Sequence, residues 1–365
     1  MANSFIRALL GGVTAIACVG SAAAGTGNLV IYNWSDYLDP AVIEAFEAET
    51  GIKVTYDTYD SNAILETKVL AGGSGYDIIV PSSNGAARLI EAGMLRKIDK
   101  EKIPNLEHVW PKISRMIETF DPGNEYLVPY NWWTFGVAYN TDMLNERLGP
   151  DFPKSWDLLL DPKISSTLAA CNILIVDSPV DVLGAALIDL GLDPNTTDKG
   201  EISAAGEHVG AVRENIAQIS ADGVVAALSN GDACLGLTWS GDAYWAAEGA
   251  KEAGNGVKLD FFIPQEGTLL DLDCFAILNE AKNVDEAHAF LNFLMQPSVA
   301  AQNANFIRYG SANLTAQSGI ERELLDNPAV YPTDKTFERL TTPVVQDRKT
   351  ERFYTRTWSK VRTGQ

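Results

Sequence analysis

The stretch NLVIYNWSDYLDPAVIEAFEAETGIKVTY, residues 28–56, decides the fold. Its first seven residues form a continuous apolar run of the kind that makes a buried strand. A loop follows, then a well-punctuated helix. Asp39 stands as the N-cap, Pro40 takes the first helical position, and Val42, Ile43 and Phe46 share one apolar face. Gly51 marks the stop, and residues 52–56 form the next strand. A second helix closing over residues 67–71 leads to a third apolar run, 76–80, which ends at Pro81-Ser82-Ser83. Alternation of this kind predicts an α/β fold with an open, mostly parallel sheet.

Upstream, residues 1–24 read as a cleaved secretory leader rather than as part of the fold. Arg7 supplies the positive end, residues 8–19 the apolar stretch, and Ala22-Ala23-Ala24 the small-residue cleavage pattern. Ala15 stands where a lipoprotein signal ahead of Cys18 carries Leu, which reads against lipid attachment. The remaining chain of about 340 residues is too long for one core and suits two lobes. After a helix near 88–92, residues 126–140 are strand-rich and hold Trp132, Trp133 and Phe135, with a first crossing between lobes expected at 136–139. A second α/β unit follows: strand 173–176, helix 180–190, strand 233–239. The chain is expected to cross back around 256–263, and a helix over 285–295 closes the first lobe. Lobe one is thus 25–136 plus about 256–310, and lobe two 137–255 plus about 311–365.

A net charge of −20, one unit more negative once Arg7 leaves, repels nucleic acid and anionic lipid and attracts cations. Cys171 and Cys234 each flank an apolar strand-like run, and in an oxidising compartment they are expected to pair. Cys274 is left over as a small buried apolar side chain. Three histidines, His108, His208 and His288, fall in no metal-binding spacing, and His288 reads as a solvated surface group. No P-loop, dinucleotide fingerprint or nucleophile elbow occurs, so neither enzyme nor cofactor nor metal is expected.

What remains is a set of aromatic and acidic residues at the ends of predicted strands, where open α/β sheets bind ligands. They are Trp34, Ser35, Asp36 and Tyr37 after the first strand, Ser82 after the third, and Asp181 after the run 173–176. Trp239 and Asp242 follow the next strand, Asp271 and Asp273 sit beside an apolar run, and Tyr309 lies in a Gly- and Asn-rich turn. Carboxylates beside indole and phenol rings suit an aliphatic polycation, whose ammonium groups need charged partners when desolvated. Several positions have a plainer reading too. Ser178 and Asp181 form an S-x-x-D helix-capping pattern, Trp34 and Trp239 could be core, and Asp36 and Asp242 could serve helix dipoles. Asp273, inside an apolar stretch, is the hardest to explain without a cation.

In order along the chain, YNWSDY (32–37), ETGIKV (49–54), YDIIVPS (76–82), SWD (155–157), NGD (230–232), WSGD (239–242), IPQEG (263–267) and VQD (345–347) resemble the periplasmic polyamine-binding proteins of ABC transporters. The resemblance spans nearly the whole chain after the leader. It implies two α/β lobes joined by a hinge, a polyamine in the cleft, and delivery to a membrane permease from the periplasm. A sensor that docks on a membrane signalling protein would share the same pocket. By the same resemblance Trp34, Tyr37 and Trp239 wall the methylene chain, Ser35 and Ser82 shape one end, and Asp36, Asp181, Asp242 and Asp273 meet ammonium groups. Tyr309 closes one side, and the Cys171–Cys234 pair is expected as well. Asp271 and Gly85 stand where relatives carry bulky aromatics, which implies a wider, more acidic pocket. A monomer is expected, because a hinge must open freely.

Overall fold

A computed structural model describes residues 27–220 and 223–364; the leader expected over 1–24, with Cys18, lies outside the described residues. β1 (Asn28–Trp34) and β2 (Lys53–Tyr59) pair in parallel from Asn28 opposite Lys53 to Trp34 opposite Tyr59. The helix Pro40–Thr50 connects them. The Asp39 side chain accepts from the Ala41 amide, Pro40 opens the helix, and Gly51 ends it in the left-handed conformation at φ 75°. β3 (Ile78–Ile79) joins the other side of β1. It is shorter than the apolar run 76–80, since the Asp77 carboxylate accepts from the amides of Val30, Lys282 and Asn283 and holds a turn at that edge.

Two long strands unite the molecule. β5 (Leu127–Asn140) and β10 (Thr268–Leu278) run antiparallel, and β10 also pairs with β3 and with the short β4 (Leu95–Arg96). Up to Thr134, β5 pairs with β10; from Phe135 onward it pairs with β8 (Leu235–Trp239). Beyond β8 lie β6 (Ile173–Val176) and β7 (Ile216–Ser220), giving the order β2-β1-β3-β10-β5-β8-β6-β7. One strand therefore belongs to both lobes. Each lobe has its own core, with Phe46, Phe275 and Phe290 in the first and Phe135, Trp156 and Leu183 in the second. Just past the exchange of partners, a Cβ at Gly136 would lie 2.5 Å from the Phe261 ring and 2.7 Å from the Phe262 carbonyl, so only glycine lets the strands meet there.

Three boundaries differ from the expected ones. The first crossing falls at Thr134–Phe135, slightly ahead of 136–139. The return comes after β9 (Leu259–Phe262), which pairs with β5 over Val137–Asn140 and so belongs to the second lobe. Gly254, at positive φ, ends the helix Ser240–Ala253, and Gly256, also at positive φ, turns the chain toward β9 instead of marking the crossing. The tail from 311 does not go straight to the second lobe either. β11 (Gly310–Ser311) pairs with β5, the Val330 carbonyl accepts from Trp132 Nε1, and β12 (Leu340–Thr341) pairs with the start of β10. The tail reaches the second lobe further on: Asn195 donates to the Thr342 carbonyl and accepts from the Val344 amide, and the helix Arg348–Thr363 docks there, where Trp358 Nε1 donates to Asp177 at 2.7 Å. Short turns without sustained periodicity hid this division.

His288 is not a surface group. It is 2% exposed, its Nε2 accepts from the Asp99 amide at 3.0 Å, and its Nδ1 donates to the Val284 carbonyl at 2.7 Å. The Cys171–Cys234 disulfide forms with a Cα–Cα distance of 5.4 Å and ties the start of β6 to the start of β8, while Cys274 is free and buried. Closing a loop of 63 residues is worth about 4 kcal/mol in the chain-entropy account. The double variant Cys171→Ser/Cys234→Ser is therefore expected to lose about 3–4 kcal/mol of unfolding free energy. Denaturant titration against the oxidised parent checks this, and equal midpoints would contradict it.

Candidate functional site

A cleft of about 700 Å³ opens between the lobes. Its walls come largely from the carboxyl ends of the strands: Trp34 ends β1, Tyr59 ends β2, Ser82 follows β3, Ser178 follows β6, and Trp239 ends β8. Such strand ends leave the sheet, so their side chains are free to face a ligand.

Asp273 sits at the centre. It is 3% exposed, and three uncharged donors hold its carboxylate: Ser82 Oγ at 2.6 Å, Tyr37 Oη at 2.7 Å and Trp133 Nε1 at 3.1 Å. Burial pushes its pKa up and these donors pull it down. Ser82 occupies the N-cap position of the helix Ser83–Glu91 without capping it, because its hydroxyl serves Asp273. Two residues back along β10, the strand period brings Asp271 to the same face. Asp271 is 4% exposed and accepts from its neighbouring Leu272 amide at 2.7 Å; burial holds it well above the usual carboxylate range, and the Asp273 and Asp181 charges add to that.

Asp181 faces this pair from the other lobe. It is 5% exposed and accepts from Ser178 Oγ at 2.7 Å and Trp239 Nε1 at 3.2 Å. Burial raises its pKa to about 6, with both donors opposing. The S-x-x-D pattern does not build a capping box, since Ser178 makes no side-chain cap bond and donates to Asp181 instead. Among the described residues, none of these three carboxylates pairs with a lysine or arginine.

Aromatic rings complete the walls. Trp34 donates to the Val80 carbonyl at 2.8 Å and leans on Tyr59; Trp239 meets Trp133 edge-on at 5.9 Å. Tyr309 lies edge-on to Tyr37 at 5.1 Å and packs over the second lobe's Gly241 so closely that a Cβ there would fall 2.0 Å from its ring. Beside it, the Arg308 guanidinium stacks over the Tyr244 ring at 4.9 Å, so the lobes touch at this mouth. Asp242, in the first turn of the helix Ser240–Ala253, accepts from Thr238 Oγ1, and Ser35 donates to Asp60.

Ten of the eleven expected residues line this one cleft; Asp36 does not. It occupies a left-handed turn position at φ 53° and is exposed, outside the lining. Gly85 also fails to widen the cleft. A Cβ there would lie 3.0 Å from Asn62 Oδ1, so the Asn62 side chain already fills that space. Sequence reasoning missed Trp133, Asp60, Asp177 and Arg88 as lining residues. Asp60 directly follows β2 and Asp177 directly follows β6, so the strand-end rule applied without exception would have found both. Alternation along β5 separates Trp133 from the buried Trp132.

Residues 41–333 match the family model described as bacterial extracellular solute-binding protein. The chain belongs to that family. It is 39% identical over 364 residues to the putrescine-binding periplasmic protein PotF of Escherichia coli K12, covering 99% of this chain and 98% of that one. It is 36% identical to a putrescine/agmatine-binding protein of Pseudomonas aeruginosa, over 94% of both. Among solved structures, the spermidine/putrescine ABC transporter substrate-binding protein PotD of Streptococcus pneumoniae superposes with a TM-score of 0.81 at 31% identity, covering 93% of this chain and 99% of that one. The two-lobed architecture is thus that of the extracellular binding proteins, which capture solutes and are not enzymes.

The raised carboxyl of Asp181 has a measurable signature in this binding protein. An acid whose pKa rises on folding weakens the fold when ionised; the cost is absent below its unfolded value near 4 and complete above about 6. Complete ionisation costs about 3 kcal/mol. Asp181→Asn carries no charge, so it is expected to be more stable than the parent at pH 7.5, by up to about 3 kcal/mol, with the advantage vanishing toward pH 4. Denaturant unfolding at both pH values checks this; an equal difference at both would contradict it.

Proposed function

We propose that this protein captures a polyamine in its interlobe cleft and delivers it to the membrane permease of an ABC transporter. The observation that carries the reading is the set of three buried carboxylates, Asp181, Asp271 and Asp273, which face a shared cavity among aromatic rings and, among the described residues, have no basic partner. Burying ionised carboxylates is costly unless a cation arrives. A diamine brings two, separated by methylenes that the rings can cover.

Magnitudes favour this division of labour. Four buried methylenes give about 3 kcal/mol at roughly 0.8 each, well short of the approximately 8 kcal/mol that micromolar binding requires. Ammonium–carboxylate hydrogen bonds and cation–π contacts of roughly 0.5–2 kcal/mol each supply the difference. In this reading Trp34, Tyr37 and Trp239 sheathe the chain, Ser35 and Ser82 shape one end, and Asp181, Asp242, Asp271 and Asp273 meet the ammonium groups, with Tyr309 closing the mouth. Asp271 adds acidity and favours a triamine or a guanidino-amine over the shortest diamine. Residues 1–24 direct export, and the protein works in the periplasm as a monomer. Relatives named for putrescine and for putrescine and agmatine support this assignment at 36–39% identity.

Isothermal titration with putrescine, cadaverine, spermidine and agmatine tests it directly. Asp273→Asn and Trp239→Ala are each expected to weaken binding at least about tenfold while remaining folded. Folded variants that bind like the parent would overturn the site. Gly241→Ala is expected to weaken every ligand alike, because the added methyl meets the Tyr309 ring and holds the lobes apart; unchanged affinity would mean that the contact plays no part in closure.

A further inference from the structure

The cleft wall carries six carboxylates and, among the described residues, one basic side chain, Arg88. Arg88 extends from the helix Ser83–Glu91, and its side chain is about one-third exposed. All three nitrogens of its guanidinium bond acids that do not themselves line the cavity. Nε donates to Glu66 at 3.0 Å and Nη2 at 2.5 Å, while Nη1 reaches across to Glu351, on the helix Arg348–Thr363 of the second lobe, at 3.0 Å. Glu66 is 16% exposed and Glu351 39%.

We propose that Arg88 is a specificity-determining residue: a tethered cation that occupies the Glu66–Glu351 carboxylate pair and so denies it to an additional ammonium group of a longer polyamine. The inference rests on the polyamine reading. Two glutamates held close together beside an acidic cavity form a ready site for a cation, and the protein fills that site with its own. The planar fork satisfies both carboxylates at once, which a mobile ligand ammonium can match only by displacing it. A further positive charge arriving beside Arg88 meets like charge and two glutamates already paired with it, so the gain from extra ligand length ends there. The same side chain bridges the lobes, and that bridge favours closure around any ligand equally. Length discrimination and closure therefore separate experimentally.

The test titrates putrescine and spermine into the full-length mature protein and into Arg88→Gln, with Arg88→Met, which keeps the apolar stem, as the second variant should the first not fold. Removal of the guanidinium is expected to raise the affinity of spermine relative to putrescine about tenfold, the worth of one charge-assisted hydrogen bond. Adding Glu351→Gln to the same background is expected to reverse most of that gain. An equal loss for both ligands would leave Arg88 as a clasp between lobes and overturn the inference, as would an unchanged ratio. A parent protein that binds neither amine would instead overturn the polyamine reading, and this inference with it.

Discussion

Everything in this molecule turns on three carboxyl groups held out of water with no countercharge among the described residues. Asp181, Asp271 and Asp273 are each at most 5% exposed, and the groups around them are hydroxyls, indoles and amides. Neutral donors soften the desolvation of an anion but do not cancel it, which is why burial raises all three. A fold optimised for stability alone would replace such groups with apolar ones. Their retention fits a site completed by a cation from outside, whose binding relieves an existing cost as well as making new contacts.

The sheet architecture explains how distant stretches supply these groups. β10 carries Asp271 and Asp273 on one face, and β5 runs beside it with Trp133 opposite Asp271. Because β5 leaves one sheet at Thr134 and enters the next at Phe135, the centre of the cleft lies where both lobes share backbone. Asp181 and Trp239 come from the second lobe, Tyr37 and Ser82 from the first. Contacts across the cleft include Tyr309 on Gly241, Arg308 on Tyr244, Trp133 against Trp239, and Arg88 with Glu351. Small contacts of this kind suit a hinge, since each must break when the lobes separate.

Much of this was legible in the sequence because its signals are local. The Asp39-Pro40 start and Gly51 stop, the apolar runs 28–34 and 173–176, and acids at strand ends all follow from near neighbours. Asp273 declared itself by standing inside an apolar strand. What remained hidden depends on distant partners. Asp36 looked equivalent to Trp34 and Tyr37, yet one left-handed residue turns it out of the cleft. Gly85 read as empty space, but Asn62 from a neighbouring helix fills it. His288 read as solvated, although the Asp99 amide and Val284 carbonyl bury it. The lobe boundaries slipped for a related reason, since glycine marks helix ends and crossings alike.

The most direct test of the account is the proton balance of binding. Polyamine amines are already charged at pH 6, whereas burial leaves part of the carboxyl population protonated in the empty cleft. Calorimetric titration of putrescine at pH 6, in two buffers of different ionisation enthalpy, measures protons exchanged on binding. Net release into solution is the predicted result, because an arriving ammonium forces the buried acids to ionise. Binding with no release, or with proton uptake, would contradict the claim that these carboxylates are what the ligand completes.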